Sequence, residues 1–358
     1  LDNVTIDNRL SGTISTGALA HELTAGIDYS FSTTASSQRQ GGAPPLDIFA
    51  PVYNVALPLL GAPSTTRQKL DQTGLYLQDR ITTGGLVALL SARHDWIGIT
   101  SRAANRTVSR GDPDKTTYRA GLSYVMPFGL APFVSYATSF APVIGAEAAT
   151  GRYYRPETGE AWEIGVKYEA RGFPLVASAS LFSIDRDGIL ISNPVTGFPN
   201  NQSQLGRVLS RGGELEVQAR PARTLNVTAA LTVFRIENRD GAAMALGKVP
   251  TATPGTTASA FVDYTLPAQS FLPGFGAGGG VRYVGRSWAD TANTLAVPSA
   301  TVFDAAVHYD VGAFRLTGNV SNLFDKQYVA ACPSAGTCYA ANRRRATFSL
   351  AYHLEAHQ

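Results

Sequence analysis

Val320-Ser321-Asn322-Leu323-Phe324-Asp325-Lys326-Gln327-Tyr328, then Cys332, then Cys338-Tyr339, then Arg343-Arg344-Arg345-Ala346-Thr347-Phe348-Ser349-Leu350-Ala351-Tyr352, is the stretch from which the rest of the chain is understood. Its first part closes an alternating segment with Asn-Leu-Phe-Asp-Lys-x-Tyr. Its last part alternates again, with Phe348, Leu350, Tyr352 and Leu354 on one side. Alternation at period two marks a strand whose two faces meet different surroundings. A loop bearing two cysteines lies between the two segments.

The same two-faced strand recurs upstream. Leu23, Ala25, Ile27, Tyr29 and Phe31 take alternate positions, and a segment without strand pattern follows over residues 32–69. Residues 74–81 and 86–96 flank the turn Thr82-Thr83-Gly84-Gly85. After an irregular stretch at 100–114, residues 118–125 and 131–139 flank Pro127-Phe128-Gly129. A loop at 140–158 carries Arg152-Tyr153-Tyr154-Arg155. Trp162, Ile164, Val166 and Tyr168 then share one face, with Glu163, Lys167 and Glu169 on the other. The pattern continues through residues 176–184, 214–220, 225–236, 259–264, 278–288, 301–309 and 314–320. The spacing predicts about fifteen strands in which short turns and long loops take turns.

That rhythm belongs to transmembrane barrels, which have short periplasmic turns and longer extracellular loops. Soluble sandwiches have no reason to lengthen every second connection. The 358 residues contain no run of about 18 apolar residues, the length a membrane helix needs. A mean hydropathy of −0.03 suits strands with one apolar and one polar face. Net charge +3, without basic blocks interleaved with aromatics, gives no footprint of a nucleic-acid binder. The expected fold is all-β, an antiparallel transmembrane β-barrel.

Further blocks are Asp7-Asn8-Arg9-Leu10, His21-x-Leu23-x-x-Gly26, Gly74-x-Tyr76-x-Gln78-Asp79, Arg93-x-Asp95, Gly129-x-Ala131-Pro132-Phe133-x-x-Tyr136 and Glu163-x-Gly165-x-Lys167-Tyr168. In this order, with the Asn-Leu-Phe-Asp block and its cysteine loop, the chain resembles TonB-dependent outer-membrane siderophore receptors of the ferrichrome (hydroxamate) type. The likeness is to the C-terminal barrel portion and covers residues 1–358 as one unit. It implies the last fifteen of about 22 strands, with an N-terminal plug and the TonB-contacting segment outside this sequence. It also implies a bacterial outer-membrane receptor, energised by TonB, that binds and transports a ferric siderophore and is no enzyme. A passive porin-like channel and a haem or cobalamin receptor are the alternatives.

Cys332 and Cys338 enclose Pro-Ser-Ala-Gly-Thr. Free thiols or half a metal site are alternatives to a disulfide there, but zinc lacks a second cysteine pair or a nearby histidine. A disulfide is expected. A ferric siderophore has an apolar rim and exposed oxygens, so it asks for aromatic side chains and donors in external loops. Phe49, Tyr53, Tyr153, Tyr154 and Tyr339 are the candidate ligand-binding residues, while Trp288 suits a membrane-interface girdle. The siderophore saturates its iron, so no cofactor held by protein ligands is expected. Arg343, Arg344 and Arg345 suit contact with outer-membrane lipid and the phosphates of lipopolysaccharide. Gly274-Phe275-Gly276-Ala277-Gly278-Gly279 opens no helix, and Asp185-Arg186-Asp187-Gly188 lacks the glutamate of a calcium loop. The resembled family ends on an aromatic residue, whereas here Glu355-Ala356-His357-Gln358 continues.

Overall fold

The strands follow from the alternation. In the computed structural model they are β1 (Asp2–Thr16), β2 (Leu19–Gln38), β3 (Ser64–Thr83), β4 (Leu86–Ala103), β5 (Ser109–Gly111), β6 (Lys115–Tyr124) and β7 (Leu130–Ala141). Next come β8 (Glu157–Glu169), β9 (Leu175–Ser192), β10 (Gln202–Ala222), β11 (Leu225–Asp240), β12 (Thr256–Thr265) and β13 (Phe275–Val284). The last are β14 (Ser287–Trp288), β15 (Ala296–Val297), β16 (Ala300–Val311), β17 (Phe314–Ser321), β18 (Val329–Ser334), β19 (Thr337–Ala340) and β20 (Arg345–Tyr352). The structure describes residues 2–42, 44–47, 49–56, 58–103, 109–111, 113–192, 196, 202–241 and 245–352. The C-terminal residues 353–358, on which the expectation about the chain end falls, lie outside them.

One sixteen-stranded sheet holds the molecule together, with β5 paired to β4 off a continuous path of the other fifteen. Each strand on that path pairs antiparallel with its neighbour, from β1–β2 to β17–β20. The two-stranded ribbons β14–β15 and β18–β19 lie off the sheet. Connections alternate as expected: two residues join β3 to β4 and β16 to β17, whereas residues 39–63 and 142–156 join β2 to β3 and β7 to β8. Gly84 and Gly312 occupy those tight turns at φ 55° and 56°, where a side chain is disfavoured. Long connections mark the external end.

Burial is inverted relative to a soluble protein. Ile164 and Leu181 are register partners with 60% and 64% exposure, continuing the outward row that holds Val233. Among the described residues the buried apolar side chains are Ile97, Ile99, Ala289, Val297, Ala300, Val302 and Cys332. A wall apolar outside and polar inside is stable when lipid is its external solvent.

Several strands outrun their hydrophobic pattern. The segment expected to be loop from residue 32 continues as strand to Gln38, and the pairing resumes at Ser64. Likewise β9 runs to Ser192, beyond the expected end at residue 184. Above the membrane both faces meet water, so alternation fades while the backbone ladder persists. Trp288 is a correction: it lies in the β14–β15 ribbon with Arg286 over its ring at 4.8 Å, away from a lipid-facing strand.

Candidate functional site

Two layers are built at and below the external end. The first is the wall's inner face. Arg93 on β4 donates to Asp28 on β2 at 2.5 and 2.9 Å and to Asp95 at 2.6 to 3.0 Å. Gln72 adds a 2.7 Å bond to Asp95, whose side chain is sealed from solvent. Tyr76 donates to Asp7 at 3.1 Å. A Cβ at Gly74 would overlap the Arg93 guanidinium, and one at Gly26 would overlap the Tyr76 ring. The blocks Gly74-x-Tyr76, Arg93-x-Asp95 and Asp7 are therefore one charge network spread over four strands. Their spacing alone could not reveal it, because the partners meet through register.

The second layer is made by the loops. Residues 142–156 fold back as a small hairpin, with a bridge from Ala146 to Tyr153 and the Glu147 N–H donating to the Arg152 carbonyl at 2.8 Å. The start of β10 clamps it. Tyr154 donates to the Gln202 carbonyl at 2.8 Å, the Arg155 N–H to Gln204 at 2.7 Å, and Ser203 to the Glu147 carboxylate. The result is a cavity of about 700 Å³ lined by Lys115, Arg152, Tyr153, Tyr154, Arg155, Asp187 and Gln204, among others. Burial, then Glu147, pushes the Tyr154 hydroxyl pKa up, so it stays a donor at neutral pH. Positive, negative and phenolic groups share one mouth, which suits a ligand with exposed oxygens and apolar edges.

A further loop cluster surrounds the cysteines. Cys332 and Cys338 form a disulfide of 2.03 Å, and Cys332 is buried against Ala289 and Val297. Thr251 donates to the Pro333 carbonyl at 3.0 Å, and Asn293 holds Val249 through bonds of 2.8 and 2.9 Å. Beneath them, buried Asn322 adopts φ 51° and holds the Lys326 backbone at both N–H and carbonyl. The Asn322 N–H reaches Asp304 at 2.9 Å, and Phe324 packs edge-on to Phe303. Asp325 accepts from Arg343 at 2.8 Å and from the Arg344 N–H at 2.9 Å. Those bonds, Arg343's first, hold its carboxyl well below the usual range. The Asn-Leu-Phe-Asp block is thus a structural clamp. It pairs Arg343, one of the three arginines expected near lipid phosphates, with Asp325.

Of the candidate ligand residues, Tyr153 and Tyr154 come together in the cavity. Phe49 and Tyr53 are 92% and 80% exposed on the β2–β3 connection, and Tyr339 is 59% exposed on β19. None of these three lines that cavity. Ser203, Gln204 and Glu147 were missed. Their polar composition reads as solvated loop, and only the β9–β10 register makes residues 202–204 the start of a strand.

A polar-lined, lipid-facing antiparallel wall with elaborate external loops defines a transmembrane barrel of the outer membrane. The chain belongs to the TonB-dependent receptor-like β-barrel family, whose model matches residues 2–323. It is similar to a ferrioxamine B receptor of Salmonella typhimurium, 34% identical over 98% of this chain and 50% of that protein. A ferrichrome outer membrane transporter/phage receptor of Escherichia coli is 31% identical over 95% of this chain and 47% of its own length. The siderophore receptor PiuA of Acinetobacter baumannii superposes with a TM-score of 0.80 at 21% identity, over 97% of this chain and 55% of that one. The chain spans about half the length of the curated relatives it matches.

Proposed function

We propose that this chain forms barrel wall and external loops of a receptor that takes up ferric siderophores of the hydroxamate type, driven through TonB. In this reading the plug and the TonB contact belong to portions of the receptor that residues 1–358 do not span. The observation that carries it is the likeness, along nearly the whole chain, to receptors named for ferrioxamine and ferrichrome. The cavity chemistry supports it. Hydroxamate oxygens fill the iron's coordination shell, so the wall has only the periphery of the complex to recognise. Tyr153 and the Arg152 and Arg155 guanidinium groups offer donors and flat faces for that periphery. Phe49, Tyr53 and Tyr339 serve as outer contacts, exposed at the loop tips.

The test is growth of a receptor-deficient strain carrying the full-length receptor, with ferrioxamine B, ferrichrome, haem or cobalamin offered singly. Growth on a hydroxamate alone is expected; growth only on haem or cobalamin would overturn the ligand class. In binding assays, Tyr153→Ala should weaken the preferred complex roughly tenfold, the scale of one aromatic anchor. Unchanged affinity would remove the cavity from the binding site.

A further inference from the structure

We infer that Arg152 and Arg155 form a carboxylate subsite in the loop cavity, so that the receptor favours a ferric hydroxamate complex with an anionic tail. The inference rests on the receptor reading above and narrows the ligand within it.

Elsewhere toward the external end, several arginines find a carboxylate within the protein. Arg207 donates to Asp185 at 2.6 and 2.9 Å, Arg282 to Asp304 at 2.9 Å and Arg343 to Asp325 at 2.8 Å. Arg186 pairs with Glu157, and Arg239 with Glu237. Arg152 and Arg155 line the cavity of about 700 Å³ and have no carboxylate partner among the described residues. Glu147, in the same hairpin, is bonded by Thr150 at 2.7 Å and by Ser203. Both arginine backbones are nonetheless fixed. The Arg152 N–H donates to Thr150 at 3.3 Å, and its carbonyl accepts from the Glu147 N–H at 2.8 Å. The Arg155 N–H donates to Gln204 Oε1 at 2.7 Å, and its carbonyl accepts from Nε2 of the same side chain at 2.5 Å. The hairpin thus anchors the roots of two guanidinium side chains and leaves their charges open. Their planar forks match a carboxylate bidentately.

The other acids of the cavity do not cancel these charges. Asp187 stands opposite Arg207 in the β9–β10 register, and Asp114 is the chain neighbour of Lys115, which lines the same cavity. Arg152 and Arg155 remain as the unbalanced charge. Iron chemistry says where the complement must sit. Hydroxamate anions cancel the charge of ferric iron, so the coordinated core is neutral and only a peripheral group can answer the two cations. An ammonium tail would meet like charge there, and a neutral tail would leave the guanidinium groups to water. A carboxylate gains charge-assisted bonds, stronger than those to a neutral acceptor.

The experiment takes the full-length receptor in detergent and one siderophore in three forms. These are ferrioxamine B with its ammonium tail, its N-acetyl derivative with a neutral tail, and its N-succinyl derivative with a carboxylate. Ferrichrome and its tricarboxylate analogue ferrichrome A give the same comparison on a cyclic scaffold, and quenching of intrinsic fluorescence reads each Kd. The carboxylate form of the scaffold that binds should be roughly tenfold tighter than the neutral form, the scale of one charge-assisted hydrogen bond, with the ammonium form weakest. In Arg152→Gln/Arg155→Gln that ratio should fall to about twofold or less, as the charge-assisted bonds are lost. Because the ratio is taken on one preparation, a partly misfolded variant does not alter it. Should the variant not fold at all, the parent's ratio carries the test, since added salt should shrink it. Equal affinity for carboxylate and neutral forms, tightest binding of the ammonium form, or an unchanged ratio in the variant overturns the subsite and leaves the hydroxamate reading standing. Binding of neither scaffold overturns both.

Discussion

Arg93 pairs with two carboxylates at once, and one of them, Asp95, has no access to water. Removing the cation would strand a buried charge, so Arg93→Ala is expected to cost about 3–5 kcal/mol in denaturant unfolding of the lipid-embedded receptor. Arg80→Ala, which breaks an exposed pair with Glu22, should cost under about 1 kcal/mol. Similar losses for both would mean that the inner network is no more than surface pairing. Asp325 supplies a pH prediction. Its folded pKa is depressed, so the Arg343 clamp contributes fully above about pH 4 and is lost as pH falls through the lowered value. Pepsin should therefore cut residues 322–344 of the folded receptor only well below about pH 4, and Asp325→Asn should be cut at higher pH. Identical cleavage profiles would discount the clamp.

Among the elements, the β18–β19 ribbon depends on its neighbours more than on its own few pairings. Cys332→Ser/Cys338→Ser should remove about 2 kcal/mol of closure entropy and loosen the contact with Ala289 and Val297. The expected readout is faster trypsin cleavage at Arg286 and Lys326 with the sheet's thermal transition unchanged; a shifted transition would tie the loops to barrel stability. Elements also show what the amino-acid pattern discloses. Ile27, Tyr29 and Phe31 announce their strand because one side meets lipid. Ser32-Thr33-Thr34-Ala35-Ser36-Ser37-Gln38 continues the same strand unannounced, because both sides meet water. The expected order of strands and the alternating connections were legible for this reason, and the disulfide was legible from two cysteines six residues apart with no zinc partners near them. The cavity was half legible: two adjacent tyrosines in a long loop could be named, but Ser203, Gln204 and Glu147 depend on pairing between distant segments. Trp288 misled because an aromatic near a strand end suits the membrane interface and a loop ribbon equally.

At the scale of the molecule, the fifteen-strand path begins and ends on strands running in the same direction, since each step reverses it. Antiparallel closure therefore needs an odd number of further strands between β20 and β1. Residues 1–358 alone are expected to give no discrete unitary conductance in planar bilayers, and reproducible steps would show that the two edges find each other. The inverted burial has a broader result. A packed protein core is a fitted solid, whereas acyl chains are a fluid with no shape to complement. Outer-face positions such as Ile164, Leu181 and Val233 are free to exchange one hydrocarbon for another over evolutionary time, provided they stay oily. Gly26, Gly74 and the charges they accommodate have no such liberty. Sequence drift should thus be fast on the skin of this wall and slow in its lining. The skeleton would then outlast most of its spelling, as a superposition at 21% identity illustrates.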